Sequence, residues 1–185
     1  MFLNWPESLG LLNTRDDTNI LGLFPYAVRK TVVSAVVERL EDTANCSPKI
    51  FTTPAHAKWL MEVVAQGFTL HMEDLPIIEK CVATYTKWLL GGVDEKPPGL
   101  VAEETFFRGE MLGHLTFLFE PRSGTSDTAL TVQTRLCKDV LDNIILAAAH
   151  KLRGVLTAAN WDTWIRLLIG VVDSIFMNKA KTTPP

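Results

Sequence analysis

The sequence has no excess of positive charge. Its 18 Lys and Arg stand against 21 Asp and Glu, a formal net charge of −3, with a pI near 5.8. Nucleic-acid-binding domains usually carry a strongly basic domain or stripe, so a nucleic-acid partner is not expected. Cysteines are few and scattered. Cys46, Cys81 and Cys137 form no CxxC pair, and an odd count of widely spaced thiols fits a reduced cytoplasmic protein better than a disulfide framework. The opening MFLNWPESLG lacks a basic segment followed by a long apolar run, so no signal peptide is expected. Asn45-Cys46-Ser47 matches a glycosylation triplet, but such triplets arise often by chance and nothing else points to secretion.

The usual carriers of chemistry are missing as well. His56, His71, His114 and His150 are the only histidines, and none sits four residues from another His or a Cys. HExxH is absent, so a metal site has no support. There is no GxSxG, no Walker A lysine loop and no GxGxxG, which removes the simplest hydrolase, nucleotide and dinucleotide readings. Cys81 and Cys137 fall on apolar helical arcs and are expected to be small buried hydrophobes. His114, between Gly113 and Leu115, is expected to be a satisfied core histidine. Glu103-Glu104 and Asp16-Asp17 are adjacent pairs, and neighbours in sequence do not face each other on a helix. The expectation is a protein that is not an enzyme, with no cofactor and no metal.

What the sequence does have is helical periodicity. Hydrophobic residues make up 47% and charged residues 21% of 185 residues, ordinary values for one domain with a sizeable core. Turn-rich breaks at SPKIFTTP, HMEDLP, GGVDEKPPG, EPRSGTSD and RGVLTAAN divide the chain into six helical stretches. The first, YAVRKTVVSAVVERLE, follows Pro25. Thr53 and Pro54 form a cap-and-first-turn pair for AHAKWLMEVVAQGF. Asp74 precedes LPIIEKCVATYTKWLL, with Gly91 where a left-handed C-cap belongs. The fourth stretch, VAEETFFRGEMLGHLTFLF, is weakened by Gly109 and Gly113. Asp127 is a candidate cap for TALTVQTRLCKDVLDNIILAAAH, and Asn160 or Thr157 for NWDTWIRLLIGVVDSIF. No run alternates with period two outside the N-terminal arm, so the fold class is all-α.

The last stretch is the most apolar. At 100° per residue its polar members Asp162, Thr163, Arg166, Gly170, Asp173 and Ser174 gather on an arc of roughly 120°, leaving an apolar arc about 200° wide. A membrane span needs about 20 predominantly apolar residues, and Arg166 and Asp173 would lie near its middle, so no transmembrane segment is expected. A surface helix needs an apolar stripe of only about 100°, which predicts that this helix is covered from two sides. Helices of this kind pack as a compact bundle or as stacked antiparallel hairpins, a HEAT/armadillo-like α-solenoid. A solenoid normally ends in a polar capping repeat. Its absence here suggests the N-terminal piece of a longer solenoid. The expected division is an irregular or briefly extended arm over 1–24, a helical domain over 25–178 and a tail over 179–185.

Trp59, Trp88, Trp161 and Trp164 sit at apolar helical positions, where core packing competes with a role as interface anchors. Trp5 lies in the arm, and Arg122 lies in the FEPRSG loop, within reach of a partner's carboxylate. The candidate partner surface is Trp5, Arg122, Trp161, Trp164, Leu168 and Phe176.

Taken in order, FPYAVRKTVVSAVV, AKWLMEVVAQGFTL, CVATYTKWLL, HLTFLFEPRSG, QTRLCKDVLDNIILAAA and NWDTWIRLLIGVVDSIF resemble the N-terminal region of the beta subunits of Ral GTPase-activating complexes, relatives of the tuberin system. The resemblance runs from about Phe2 to Phe176, and its specificity lies in the order and spacing of the blocks. It implies a cytosolic scaffold, largely α-solenoid, that pairs with a catalytic alpha subunit and acts on Ral-type small GTPases. Such subunits are also associated with κB-Ras-type small GTPases. The family's catalytic asparagine belongs to the alpha subunit, so the resemblance carries no catalytic residue onto this chain. The alternative from the residues alone is a self-contained helical adaptor that buries its apolar arcs in a homodimer.

Overall fold

Proline residues and small polar caps set where the helices begin. The structure, a computed structural model, describes residues 24–42, 48–119 and 126–147 together with Asp162, Ile165, Arg166, Leu168, Ile169, Val172 and Asp173. Helix α1 spans Tyr26–Glu41 directly after Pro25, whose carbonyl accepts from the Val28 and Arg29 amides at 3.0 and 3.1 Å. Helix α2 spans Pro54–Gln66. Thr53 Oγ1 accepts from the His56 amide at its start, and Pro54 occupies the first turn, where its missing N–H costs nothing. Helix α3 spans Leu75–Leu90. These three follow the boundaries expected from periodicity.

Three expected terminal features are corrected. Asp74 makes no capping hydrogen bond at the start of α3; its carboxylate accepts instead from the Tyr26 hydroxyl and pairs with Lys30 at 2.6 Å. Gly91 is extended rather than left-handed, at φ −75° and ψ 174°. It is glycine because of crowding: a Cβ there would lie 2.3 Å from Glu95 Oε2 and 2.4 Å from the Lys87 carbonyl. Ser126, one residue before Asp127, caps helix α6 by accepting from the Ala129 amide at 3.2 Å.

The expected fourth helix is in fact two. Helix α4 is a short turn over Pro98–Ala102, α5 runs over Glu104–Leu115, and a 3-10 turn, Thr116–Phe119, ends the segment. Glu103, at φ −126° and ψ 40°, breaks the run. Pro97 and Pro98 start a turn of their own, and the Gly99 amide donates to Phe51 O at 2.9 Å. Helix α6 spans Asp127–Val140 and continues as a π-helical turn over Leu141–Leu146. Every regular element among the described residues is helical, with no strand.

Helix α2 is the centre of the fold. Ala57, Trp59, Leu60, Met61, Val63, Val64 and Ala65 are buried on several of its sides. It touches α1, α3, α4 and α5. Helix α1 contributes one narrow face, Val33, Val36 and Val37, the i, i+3, i+4 spacing of a surface helix. Phe68, Ile78, Tyr85, Leu100, Phe107, Met111, Leu115, Leu118, Cys137 and Ile144 join the same core, each no more than 1% exposed. Among the described residues no helix is long and apolar enough to cross a membrane.

Candidate protein-binding surface

The polar side chains inside the body are occupied in holding it together. Tyr85, fully buried on α3, donates its hydroxyl proton to Met61 O at 2.8 Å. That proton is its only one. His114 Nδ1, 2.9 Å away, therefore donates to the Tyr85 oxygen, which fixes the neutral Nδ1–H tautomer. Burial, helped by the charge of Lys58, lowers the His114 pKa from 6.5 to about 4. The ring stacks on Phe117 at 5.9 Å, so His114 is a core histidine as expected. Burial also pushes the Cys81 thiol up to about 12, and Cys137 is likewise a buried thiol.

Two further clusters lie at helix junctions. Tyr26 stacks on His71 with ring centroids 4.0 Å apart, and its oxygen accepts from the His71 amide at 3.0 Å. Burial raises the Asp74 pKa, but the Lys30 and Tyr26 hydrogen bonds outweigh it and hold the carboxyl below its usual range. Arg29 reaches Gln66 Oε1 and Thr69 Oγ1 at 3.5 and 3.3 Å. It thus places its cation at the C-terminal end of α2, where the helix dipole favours it. At the other junction Glu104 accepts from both Lys96 and Arg108 at 2.6 Å. This ties the loop before α4 to the first turn of α5. None of these groups presents a nucleophile and base pair, and among the described residues no cluster of His, Cys, Asp and Glu is fit to hold a metal ion.

Among the described residues near the end of the chain, apolar side chains are exposed. Seven described residues between 162 and 173 are helical. Ile165, Leu168, Ile169 and Val172 are 39, 41, 54 and 48% exposed. Their spacing, i, i+3, i+4, i+7, gathers them on an arc of about 100°. Asp162, Asp173 and Arg166 border that arc on one side, and Arg166 Nε pairs with Asp162 at 2.8 Å. Against the expectation of cover from two sides, these four apolar residues of the arc are open, and the rest of the arc lies outside the described residues.

Of the sequence-predicted partner residues, Leu168 lies on this stripe. Trp5, Arg122, Trp161, Trp164 and Phe176 lie outside the described residues. Trp59 and Trp88 are core residues, 4 and 3% exposed. Sequence reasoning misses Ile165, Ile169 and Val172, although an apolar arc twice the usual width is the signal that could find them. Val93, Phe106 and Leu146 are further exposed apolar residues, at 68, 53 and 49%. No periodicity marks them out.

Comparison with known proteins gives the surface its context. Ral GTPase-activating protein subunit beta of Rattus norvegicus is 30% identical over 183 residues, 94% of this chain and 12% of the relative. The Homo sapiens subunit of the same name is 29% identical over 183 residues, again 94% of this chain and 12% of the relative. The chain is a relative of the Ral GTPase-activating protein beta subunits. A Rap-GAP domain-containing protein of Dictyostelium discoideum is 36% identical over 108 residues, 58% of this chain and 7% of that protein. The chain therefore spans only about a tenth of the length of these relatives. No protein-family profile and no solved structure matches it. Among the described residues the interior side chains are packed, and the stripe is exposed.

Proposed function

We propose that this chain is a non-catalytic scaffold and protein-binding segment of a Ral-type GTPase-activating complex. It assembles with the catalytic alpha subunit in the cytoplasm and has no enzymatic activity of its own. Its helices are read as layered antiparallel hairpins of a HEAT/armadillo-like α-solenoid occupying 25–178. A Ral-type or κB-Ras-type small GTPase is a secondary partner for the same scaffold. The observation that carries the reading is the match to beta subunits across nearly the whole chain. The polar groups already committed to internal contacts and the open stripe are consistent with it.

The test has two readouts. The full chain is immobilised and offered purified catalytic alpha subunit, and separately is added to GTP-loaded Ral in a hydrolysis assay. Retention of the alpha subunit with no change in Ral hydrolysis by the chain alone is the expected result. Robust acceleration of hydrolysis by the chain alone contradicts the reading, as does failure to retain the subunit.

A further inference from the structure

We infer that the Ile165–Leu168–Ile169–Val172 stripe docks an amphipathic helix of a partner protein whose apolar face is bordered by lysine or arginine. This rests on the scaffold reading above and specifies what its partner presents. Three observations define the occupant. The stripe is four residues at i, i+3, i+4, i+7, about two turns long, the footprint that one crossing helix covers. Its border carries Asp162, Asp173 and Arg166. The Arg166 guanidinium is spent on Asp162, and Asp173 has no partner among the described residues. Among the described residues that side of the border is therefore net negative, with one uncompensated carboxylate beside exposed aliphatic carbon.

A second copy of the chain fits this surface poorly. It would bring a border of the same net sign against the first. The area is also too small: four aliphatic side chains at 39–54% exposure offer on the order of 300 Å², against about 800 Å² from each partner in a standard interface. A partner helix with a basic border satisfies Asp173, covers the four side chains and adds to contacts made elsewhere on the scaffold.

The experiment uses the full chain and two labelled three-turn helical peptides with identical leucine faces, one bordered by lysines and one by glutamates. Fluorescence anisotropy reads binding to the wild type, to Asp173→Lys and to Ile169→Asp. Both sites of substitution are exposed, and circular dichroism checks that the variants fold. The wild type is expected to bind the lysine-bordered peptide about fivefold more tightly than the other. Asp173→Lys should abolish or reverse that order, and Ile169→Asp should remove binding of both. Equal binding of the two peptides, an order unchanged by Asp173→Lys, binding untouched by Ile169→Asp, or no binding at all overturns the inference. Concentration-dependent dimerisation abolished by Ile169→Asp also overturns it, in favour of a second copy. Alpha-subunit capture by the wild type is scored separately, so the scaffold reading can stand while this inference falls.

Discussion

At the residue scale the Tyr85–His114–Met61 node ties α3, α5 and α2 with one hydroxyl. Removing that hydroxyl in Tyr85→Phe leaves His114 Nδ1 without its acceptor in a largely buried site. The expected cost is about 1–3 kcal/mol in denaturant unfolding. The same node makes stability pH-dependent. The folded pKa of His114 lies below its ordinary value of 6.5, at about 4, so the unfolded chain binds this proton more readily. Stability from this group is full above pH 6.5 and is lost as the pH falls toward 4. Urea midpoints measured across that interval should decline for the wild type and flatten in His114→Gln. An equal decline in both would remove His114 as the cause. The apolar neighbours of His114 mark it as a core histidine from sequence alone, but its bond to Tyr85 joins residues 29 positions apart and no local pattern contains it.

At the element scale the most constrained contact is between α4 and the entrance to α2. A Cβ on Gly99 would sit 2.0 Å from the Thr53 carbonyl oxygen, an atom of the backbone that cannot rotate away. Gly99→Ala should therefore destabilise by about 1–3 kcal/mol or more, the range of overpacked cores, read as a lowered unfolding midpoint. Gly92, where a Cβ would meet nothing within 4 Å, is the matched control and should tolerate alanine. The Asp74 clamp has a different signature. In Asp74→Ala the Tyr26 and Lys30 contacts vanish together, so amide exchange in the first turns of α1 should quicken while α2 stays protected. Helix starts such as Thr53-Pro54 are legible in the sequence because a cap acts within three residues. Asp74 is not, because partners elsewhere decide what it does, Tyr26 and Lys30; the crowding at Gly91 by the Lys87 carbonyl and Glu95 is not in the sequence pattern either. The split at Glu103 likewise lies outside the periodic pattern, with Pro97 and Pro98 starting a separate turn and Glu104 joined to both Lys96 and Arg108.

At the scale of the whole molecule, the all-α class follows from periodicity, while the open stripe does not. A wheel shows how wide an apolar arc is and cannot show which part of it is covered. On the proposal made above, this stripe is a contact surface for another protein and not part of the core. Comparing wild type with Ile169→Asp, in unfolding and in binding of the lysine-bordered helical peptide, tests that most directly. Unfolding free energies should be equal within about 0.5 kcal/mol, as for exposed positions, with peptide binding lost in the variant. A loss of several kcal/mol, or peptide binding unchanged from wild type, would contradict it.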